Sequence, residues 1–294
     1  MLQIIIPYYN LTFFRETLES LALQTDQRFT VYIGNDASSE NPEDLLKEYN
    51  GVLNFVYEKF SNNLGGVTVA KHWDRCLSFV DSKWFMILGD DDQLSEDAVE
   101  QFYKIINDEK NQHFKVLRFQ REIIDENGNL IKKRTNYPDF ESTAQFLYKR
   151  SLNEVGSSLG EYIFRTEDYF KYGIRKYPKA FYSDNMMVLE YSKFGELKNI
   201  EDAYALIRIS PKSLSGDKDN VLFIREAGWQ FYAEIINKYS RYFSKKQLSL
   251  FLNIIMEGVK TNKSGINKLE FIQMCTRKIG FLWTLRKIIT LLKP

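Results

Sequence analysis

The N-terminal half of this chain alternates short, uninterrupted apolar segments with segments of helical spacing, and this alternation constrains the fold more than any other feature. The apolar segments are residues 2–6, 29–33, 53–57, 84–88 and 115–119. The helical segments between them are residues 13–23, 42–49, 67–79 and 96–106. Strands buried on both faces read as unbroken apolar runs, and helices that connect them produce a parallel sheet. The sequence therefore predicts an α/β fold with a central, mostly parallel sheet covered by helices.

Polar residues directly follow three of these predicted strands. They occupy positions 7–10, 35–36 and 89–92. The carboxyl ends of parallel strands meet at one edge of a sheet, where open α/β folds bind their ligands. We therefore expect the three groups to converge on one binding site.

Asp90, Asp91 and Asp92 are consecutive carboxylates at the end of an apolar strand. Adjacent carboxylates repel one another, and burying them is costly unless a cation compensates their charge. Mg²⁺ and Mn²⁺ prefer oxygen ligands, and Mg²⁺ usually binds one or two carboxylates together with substrate phosphates. The cluster therefore indicates a divalent metal and a phosphate-bearing substrate. A solvated acidic turn before a helix that begins at Ser95 is the alternative.

Other common catalytic and phosphate-binding motifs are absent from the sequence. No Gly-x-Gly-x-x-Gly follows the first strand, and no Gly-Lys-Ser/Thr occurs. The two Cys and two His show no metal-ligand or nucleophile–base spacing. Dinucleotide and P-loop sites, zinc sites and Cys-His catalysis are therefore not expected.

Taken in order, the motifs resemble those of the family 2 inverting glycosyltransferases of the GT-A (nucleotide-diphospho-sugar transferase) fold, of the bacterial surface-polysaccharide type. The similar segments are Ile-Ile-Ile-Pro-Tyr-Tyr-Asn at 4–10, Leu-Ala-Leu-Gln-Thr at 21–25, Asn-Asp-Ala-Ser at 35–38, the Asn-Asn-Leu-Gly-Gly stretch within 62–71, and Gly-Asp-Asp-Asp at 89–92. The last segment has Gly where the family has its first Asp. The resemblance covers about residues 1–210.

The resemblance implies a binding site for the donor nucleotide. Asp36 would accept a hydrogen bond from the base, Pro7 and Tyr8 would shape the base pocket, and Asn10 would support the turn. Lys71 could reach the nucleotide, with an exposed helix lysine as the equal alternative.

The resemblance also implies the metal site and its ion, Mn²⁺ or Mg²⁺. Asp91 would be the main ligand, Asp92 would orient the site or approach the acceptor, and Asp90 would face the ribose or the metal shell. A diphosphate neutralised by the ion is a good leaving group.

In this family the catalytic base is a carboxylate at the start of a helix, and Asp184 in the segment 181–187 has that form. An Asp that only interacts with the helix dipole is the alternative. Asp139, Glu161 and Asp168 are possible substitutes as base. Direct attack by a deprotonated acceptor hydroxyl would invert the anomeric carbon.

The segment 208–216 has the composition of a loop. Arg208, Lys212 and Ser213 could close over the donor diphosphate, as lids do where water must be excluded. A linker between two domains would use the same residues. We therefore expect a catalytic domain over 1–215 and a helical extension over 216–294, with helices over 221–238, 244–259 and 266–293.

The extension is basic. Residues 238–294 contain 12 basic and 2 acidic residues, while the net charge of the whole chain is +1. Its last helix places Phe281, Leu282, Leu285, Ile288, Ile289 and Leu292 on one arc, and Arg286, Lys287 and Thr290 on another. This pattern is typical of a helix on an anionic membrane surface. Packing against the catalytic domain or a second subunit is the equal alternative.

The sequence therefore predicts a metal-dependent inverting glycosyltransferase that moves a sugar from a nucleotide diphosphate donor, expected to be a UDP-sugar. The acceptor would be a saccharide or a lipid-linked saccharide in surface-polysaccharide synthesis. A nucleotidyltransferase would need a Gly-rich, Arg-containing first loop, which is absent after Ile6. A non-catalytic saccharide- or membrane-binding module remains a further alternative.

The expected setting is the cytoplasm, with peripheral contact at the inner face of the membrane. No signal peptide precedes the first strand, and no apolar run approaches the roughly 20 residues of a membrane span. A nucleic-acid partner is not expected, and a homo-oligomer stays open.

Overall fold

The computed structural model of this protein describes residues 1–66, 68–134, 137–211, 213–214, 216–261 and 264–292, with the backbone alone at 286, 287 and 289–292. Its strands are β1 Leu2–Tyr8, β2 Phe29–Asn35, β3 Phe55–Lys59, β4 Trp84–Ile87, β5 Gln93–Leu94, β6 Val116–Ile124, β7 Leu130–Lys132, β8 Phe140–Ser142, β9 Tyr162–Arg165 and β10 Glu196–Arg208. Its α-helices are α1 Phe14–Ala22, α2 Glu43–Glu48, α3 Val69–Leu77, α4 Ala98–Asn107, α5 Thr143–Ser151, α6 Thr166–Tyr172, α7 Ser183–Tyr191, α8 Val221–Tyr239, α9 Lys245–Lys260, α10 Lys268–Lys278 and α11 Phe281–Leu292.

These strands form one mixed sheet in the order β3-β2-β1-β4-β9-β6-β10-β5, with β7 beside β6 and β8 beside β10. Strands β1 to β4 pair in parallel, as the apolar runs predict. Strand β9 lies antiparallel between β4 and β6. The carboxyl ends of β1, β2 and β4 therefore point to the same edge of the sheet.

The sheet is covered on both faces. Side chains of one face pack with α1, α2 and α4 around residues such as Ile4, Leu18 and Phe102. Side chains of the other face pack with α3, α6 and α7 around residues such as Phe85 and Val188. The predicted α/β class and the two-sided cover are confirmed.

The C-terminal segment is helical, as predicted. Helices α8 to α10 share a third apolar cluster with Leu147 of α5 and with Met186 and Leu189 of α7. The predicted single helix over 266–293 is wrong, because the chain breaks between α10 and α11 at Gly280, whose φ is +123°. A positive φ lies outside the right-handed helical region and favours glycine. The domain boundary near residue 215 stays a prediction.

None of the helices in the described residues combines the length and the apolar character needed to cross a bilayer.

Candidate active site

A cleft of about 620 Å³ opens at the carboxyl ends of β1 and β4 and extends to the first turn of α7. The sequence-predicted site residues that line it are Pro7, Asn10, Asp90, Asp91, Asp92, Asp184, Arg208 and Ser213. Asp184 is thus brought to the same cleft as the carboxylates that follow β4. Of the sequence-predicted residues, Tyr8, Asp36 and Lys71 do not line it.

Asp90 fastens the end of β4 to the end of β1. Its Oδ2 atom accepts hydrogen bonds from the backbone N–H groups of Tyr9 at 2.6 Å and Asn10 at 2.7 Å. The turn after β1 therefore depends on this carboxylate, and Asp90 acts here as a structural acceptor. The predicted contact with a ribose or a metal stays untested.

Arg208 anchors the same acidic turn from β10. Its backbone N–H donates to Oδ1 of Asp92 at 3.0 Å, and its guanidinium donates to the backbone oxygens of Asp91 at 3.1 Å and Asp125 at 2.9 Å. The guanidinium also forms an ion pair with Glu16, and Arg208 is only 1% exposed. The structure thus places Arg208 in a buried clamp, which differs from the mobile lid that the sequence suggested.

The tight turn explains why position 89 is glycine. A Cβ atom there would lie 2.8 Å from Oδ1 of Asp91 and 2.9 Å from Oδ2 of Asp92. The two carboxylates turn back over Gly89, and a larger residue would displace them. The Gly that replaces the family's first Asp therefore leaves room for this arrangement of the two carboxylates.

Electrostatics make the cluster suited to a cation. Burial, followed by repulsion from the neighbouring carboxylate, raises the pKa of Asp91 to about 8. Burial is also the main cause that raises the pKa of Asp90 and of Asp92. A bound cation would remove this cost of ionisation, and strongly shifted pKa values cluster at functional sites.

The donor set fits a divalent ion that shares its coordination with phosphate. Within the part of the chain that the structure describes, no three His, Cys, Asp or Glu side chains form a metal-binding group by themselves. No other described residue donates a hydrogen bond to the Asp91 carboxylate, and a cavity of about 10 Å³ lies beside it. Asp91, with Asp92 next to it, therefore offers the one or two carboxylates that Mg²⁺ usually takes in addition to phosphate oxygens.

Asp36 lies behind the cleft and holds the loop that precedes α3. Its carboxylate accepts hydrogen bonds from the backbone N–H groups of Leu64 at 2.8 Å and Gly65 at 2.7 Å, and it forms an ion pair with Arg75. Burial lowers the pKa of the adjacent His72 to about 4, so Arg75 is the main cation beside Asp36 near pH 7. The predicted hydrogen bond from Asp36 to a base stays untested.

Three other residues are predicted from the sequence to contact the donor substrate. Two of them form hydrogen bonds within the protein, and the third is exposed. The buried hydroxyl of Tyr8 donates to the backbone oxygen of Glu40 at 2.8 Å. The hydroxyl of Ser213 donates to the backbone oxygen of Ser210 at 2.9 Å. Lys71 is exposed on α3, which agrees with its alternative interpretation. Lys212 lies outside the described residues.

Asp184 lies in the first turn of α7 and lines the cleft. Its Oδ2 atom accepts hydrogen bonds from the hydroxyl of Ser157 at 3.1 Å and from the side-chain amide of Asn185 at 3.3 Å. Burial raises the pKa of Asp184, and Arg150 opposes this shift by its positive charge. Tyr182, which precedes the helix, has a φ of +65° and stacks on Phe231 of α8. The carboxylate is thus fixed by the packing of the C-terminal helices.

The three alternative bases lie elsewhere. Asp139 forms an ion pair with Lys198, and Glu161 is fully buried with its carboxylate 3.5 Å from Nε of Arg121. Asp168 is buried in α6. None of the three is among the described residues that line the cleft. The geometry therefore favours Asp184.

Sequence reasoning missed several residues of the cleft. Arg150, Ser157 and Lys179 line it, and Ser157 contacts the candidate base directly. No local pattern distinguishes these residues, because they reach the cleft only through tertiary packing.

Comparisons with known proteins bear on the fold and the family. The family model described as Glycosyl transferase family 2 matches residues 3–164. A crystal structure of S. aureus TarS 1-349 is 18% identical with a TM-score of 0.64, covering 95% of this chain and 82% of that chain. A crystal structure of S. aureus TarS 1-349 in complex with UDP-GlcNAc is 17% identical with a TM-score of 0.63, covering 99% and 83%. No curated protein matches significantly. At these identities the structural similarity shows the fold.

The role of Asp36 can be tested by substitution. Asp36→Ala removes the acceptor of two backbone N–H groups and leaves Arg75 without its buried counter-ion, so we expect a loss of about 3–5 kcal/mol in the free energy of unfolding. Urea denaturation measures this loss. Asp44→Ala is the control, because Asp44 pairs with Lys47 at the surface and its loss should leave the stability close to that of the wild type. Equal effects of the two substitutions would contradict the structural role.

Proposed function

This chain belongs to glycosyl transferase family 2 and is a glycosyltransferase, and we propose that it transfers a sugar from a nucleotide diphosphate donor to an acceptor hydroxyl with inversion at the anomeric carbon. The main observation that supports this proposal is that one cleft contains both the carboxylate cluster after β4 and the separate carboxylate Asp184. The first group suits a donor diphosphate with its metal, and the second suits a general base. The predicted family and fold are confirmed.

We propose a UDP-sugar as the donor. Structures of S. aureus TarS in complex with UDP and with UDP-GlcNAc support this choice, since that protein has a similar fold. The donor would lie along the ends of β1 and β4, against Pro7, Asn10 and the acidic turn. The identity of the sugar is left open between a hexose and an N-acetylhexosamine.

The proposed metal ligands are Asp91 and Asp92. A bound Mn²⁺ or Mg²⁺ would supply positive charge that stabilises the leaving diphosphate. The protein keeps these carboxylates in place through the backbone N–H of Arg208 on Asp92 and through Asp90, which fixes the opposite side of the turn. Gly89 provides the space into which they fold.

Asp184 is the proposed base. It would take the proton of the acceptor hydroxyl as the hydroxyl oxygen bonds to the anomeric carbon and the bond from that carbon to the donor phosphate breaks. Ser157 and Asn185 donate hydrogen bonds to Oδ2 of the carboxylate and thereby hold it at the cleft. No covalent bond between sugar and protein is needed. A nucleotidyltransferase or a non-catalytic module does not account for the position of Asp184.

We also propose that the protein contacts the inner face of the cell membrane through α11 and thereby meets a lipid-linked saccharide acceptor. Thr284 is buried against α10, while Phe281, Leu282 and Leu285 are 66%, 78% and 46% exposed. This apolar face belongs to a segment, 238–294, with a net charge of +10. Apolar and basic residues together favour an anionic lipid surface. Of the other apolar residues on this arc, the structure describes the side chain of Ile288, whereas those of Ile289 and Leu292 are outside the described part.

Donor binding gives the first test of function. UDP at 100 times its Kd should raise the Tm by about 5–10 °C, but only with Mn²⁺ or Mg²⁺ present, because the carboxylates would bind phosphate only through the ion. Asp91→Asn should abolish the metal-dependent shift in a thermal melting assay, and Asp44→Asn should retain it. A full shift in Asp91→Asn would exclude Asp91 as a metal ligand.

The base is tested separately from binding. Asp184→Asn should lower the rate of UDP release from a UDP-sugar by roughly 10²-fold or more while the UDP-induced melting shift remains. In the wild type, activity should fall with decreasing pH at a pH above the ordinary pKa of Asp, since burial raises the pKa of Asp184 and the base must be ionised. Arg150 and Tyr182 are the charged and titratable groups beside it. Normal turnover in Asp184→Asn would move the base elsewhere.

Membrane contact is tested with vesicles. The protein should co-sediment with vesicles of phosphatidylglycerol and phosphatidylcholine, less so at high salt, and weakly with pure phosphatidylcholine. The double substitution Phe281→Ser and Leu282→Ser should reduce co-sedimentation, whereas Val52→Ser, at an exposed turn before β3, should not. Unchanged sedimentation of the double variant, or its conversion from an oligomer to a monomer, would show that α11 serves another purpose.

A further inference from the structure

Arg150 is a guanidinium without a protein partner in the cleft. It lies at the end of α5 and lines the cleft together with Asp184. Its Nε atom is buried without a hydrogen-bond partner, and no described residue forms an ion pair with its side chain. Its only described ring contact is with Tyr182, at 5.8 Å from the ring centroid.

This situation is unusual within the protein. Several other partly or fully buried arginines pair with carboxylates: Arg75 with Asp36, Arg118 with Glu141, and Arg175 with Glu190. Arg165, which has no such partner among the described residues, donates to the backbone oxygen of Gln112 instead. A buried charge without a partner destabilises the folded state. The positive charge of Arg150 lowers the pKa of Asp184, but the two side chains form no hydrogen bond or ion pair. The guanidinium therefore remains available to a ligand in the cleft.

Lys179 adds a second cation to the lining of the cleft. It lies just before α7, and its Nζ donates to the side-chain oxygen of Asn220 at 2.5 Å. Its ammonium is also 4.7 Å from the ring centroid of Phe223. No described carboxylate neutralises it. We call Arg150 and Lys179 the basic end of the cleft.

The basic end and the carboxylates after β4 require ligands of opposite charge. The acidic turn accounts for a metal ion and, through it, for the donor diphosphate. The proposed donor and metal do not occupy the basic end. Arg150 nevertheless lies close enough to Asp184, the proposed base, to influence its pKa. An anion bound there would belong to the acceptor, close to its reacting hydroxyl. A guanidinium donates two parallel hydrogen bonds to phosphate or carboxylate oxygens, which fixes the ligand in orientation as well as in position.

We propose that Arg150, assisted by Lys179, binds a phosphate group of the acceptor and thereby positions the neighbouring hydroxyl at Asp184. This inference rests on the proposed function and specifies its substrate class: a phosphate-bearing acceptor. It makes Arg150 a binding residue for the acceptor and gives it no part in holding the donor.

Glycerol 3-phosphate and glycerol are matched probes, which differ only in the phosphate. The full-length protein saturated with UDP and Mn²⁺ should bind glycerol 3-phosphate at millimolar concentrations in ligand-observed NMR, and it should not bind glycerol. Arg150→Gln should weaken this binding by roughly 10-fold or more, the scale of a lost charged hydrogen bond. Arg150→Lys should retain part of it. Arg277→Gln, at an exposed position on α10, should change nothing.

The UDP-induced melting shift separates the two proposals. The shift should be the same in wild type and Arg150→Gln. If Arg150→Gln loses the shift, the guanidinium serves the donor diphosphate and the acceptor assignment is wrong. Equal binding of glycerol 3-phosphate by both proteins, or no binding by the wild type, would also overturn it. A wild type that shows no UDP shift with any divalent ion would instead contradict the donor proposal itself.

Discussion

The acidic turn after β4 is the feature on which the candidate site depends. Its carboxylates hold neighbouring strand ends together: Asp90 accepts from the N–H groups after β1, and Asp92 accepts from the N–H of Arg208 at the end of β10. Three crowded carboxylates, of which Asp92 is buried and the other two are half-buried, oppose their own ionisation, and Gly89 leaves space for them. A cation bound at the turn would offset this repulsion, which is why we propose a metal site there. The same bonds that support the sheet edge therefore also support the proposed metal site.

Charges of both signs line the cleft. The carboxylates after β4 and the cations Arg150 and Lys179 are all part of its lining, and Arg150 interacts electrostatically with Asp184. These charges would direct a metal-bound diphosphate and an anionic acceptor to different groups, so that the anomeric carbon lies between the leaving group and the base. The C-terminal helices take part in this arrangement, because Phe231 of α8 stacks on Tyr182 and fixes the start of α7. The basic extension is thus connected physically to the catalytic cleft.

Asp36 and Arg208 show where inference from local sequence ends. Both residues stand at strand ends, where ligand contacts are expected, and both are largely engaged by other parts of the protein. Asp36 accepts hydrogen bonds from backbone N–H groups of a loop about 30 positions later in the sequence. Arg208 forms an ion pair with Glu16, which lies near the start of the sequence. Nothing in the neighbouring sequence reveals such partners. Polarity at a strand end therefore predicted the location of the site better than it predicted the role of each residue.

The sequence by itself determined the α/β class, the parallel strands β1 to β4, the edge of the sheet at which polar residues gather, and Asp184 as a residue at the start of a helix. Only the tertiary structure decided the antiparallel insertion of β9, the buried clamp around Arg208, and the meeting of Arg150 with Asp184. The reason is physical. Periodicity and capping depend on residues a few positions apart, and these are readable along the chain. Strand order and the pairing of charges depend on contacts between distant segments, whose geometry exists only after the core has packed.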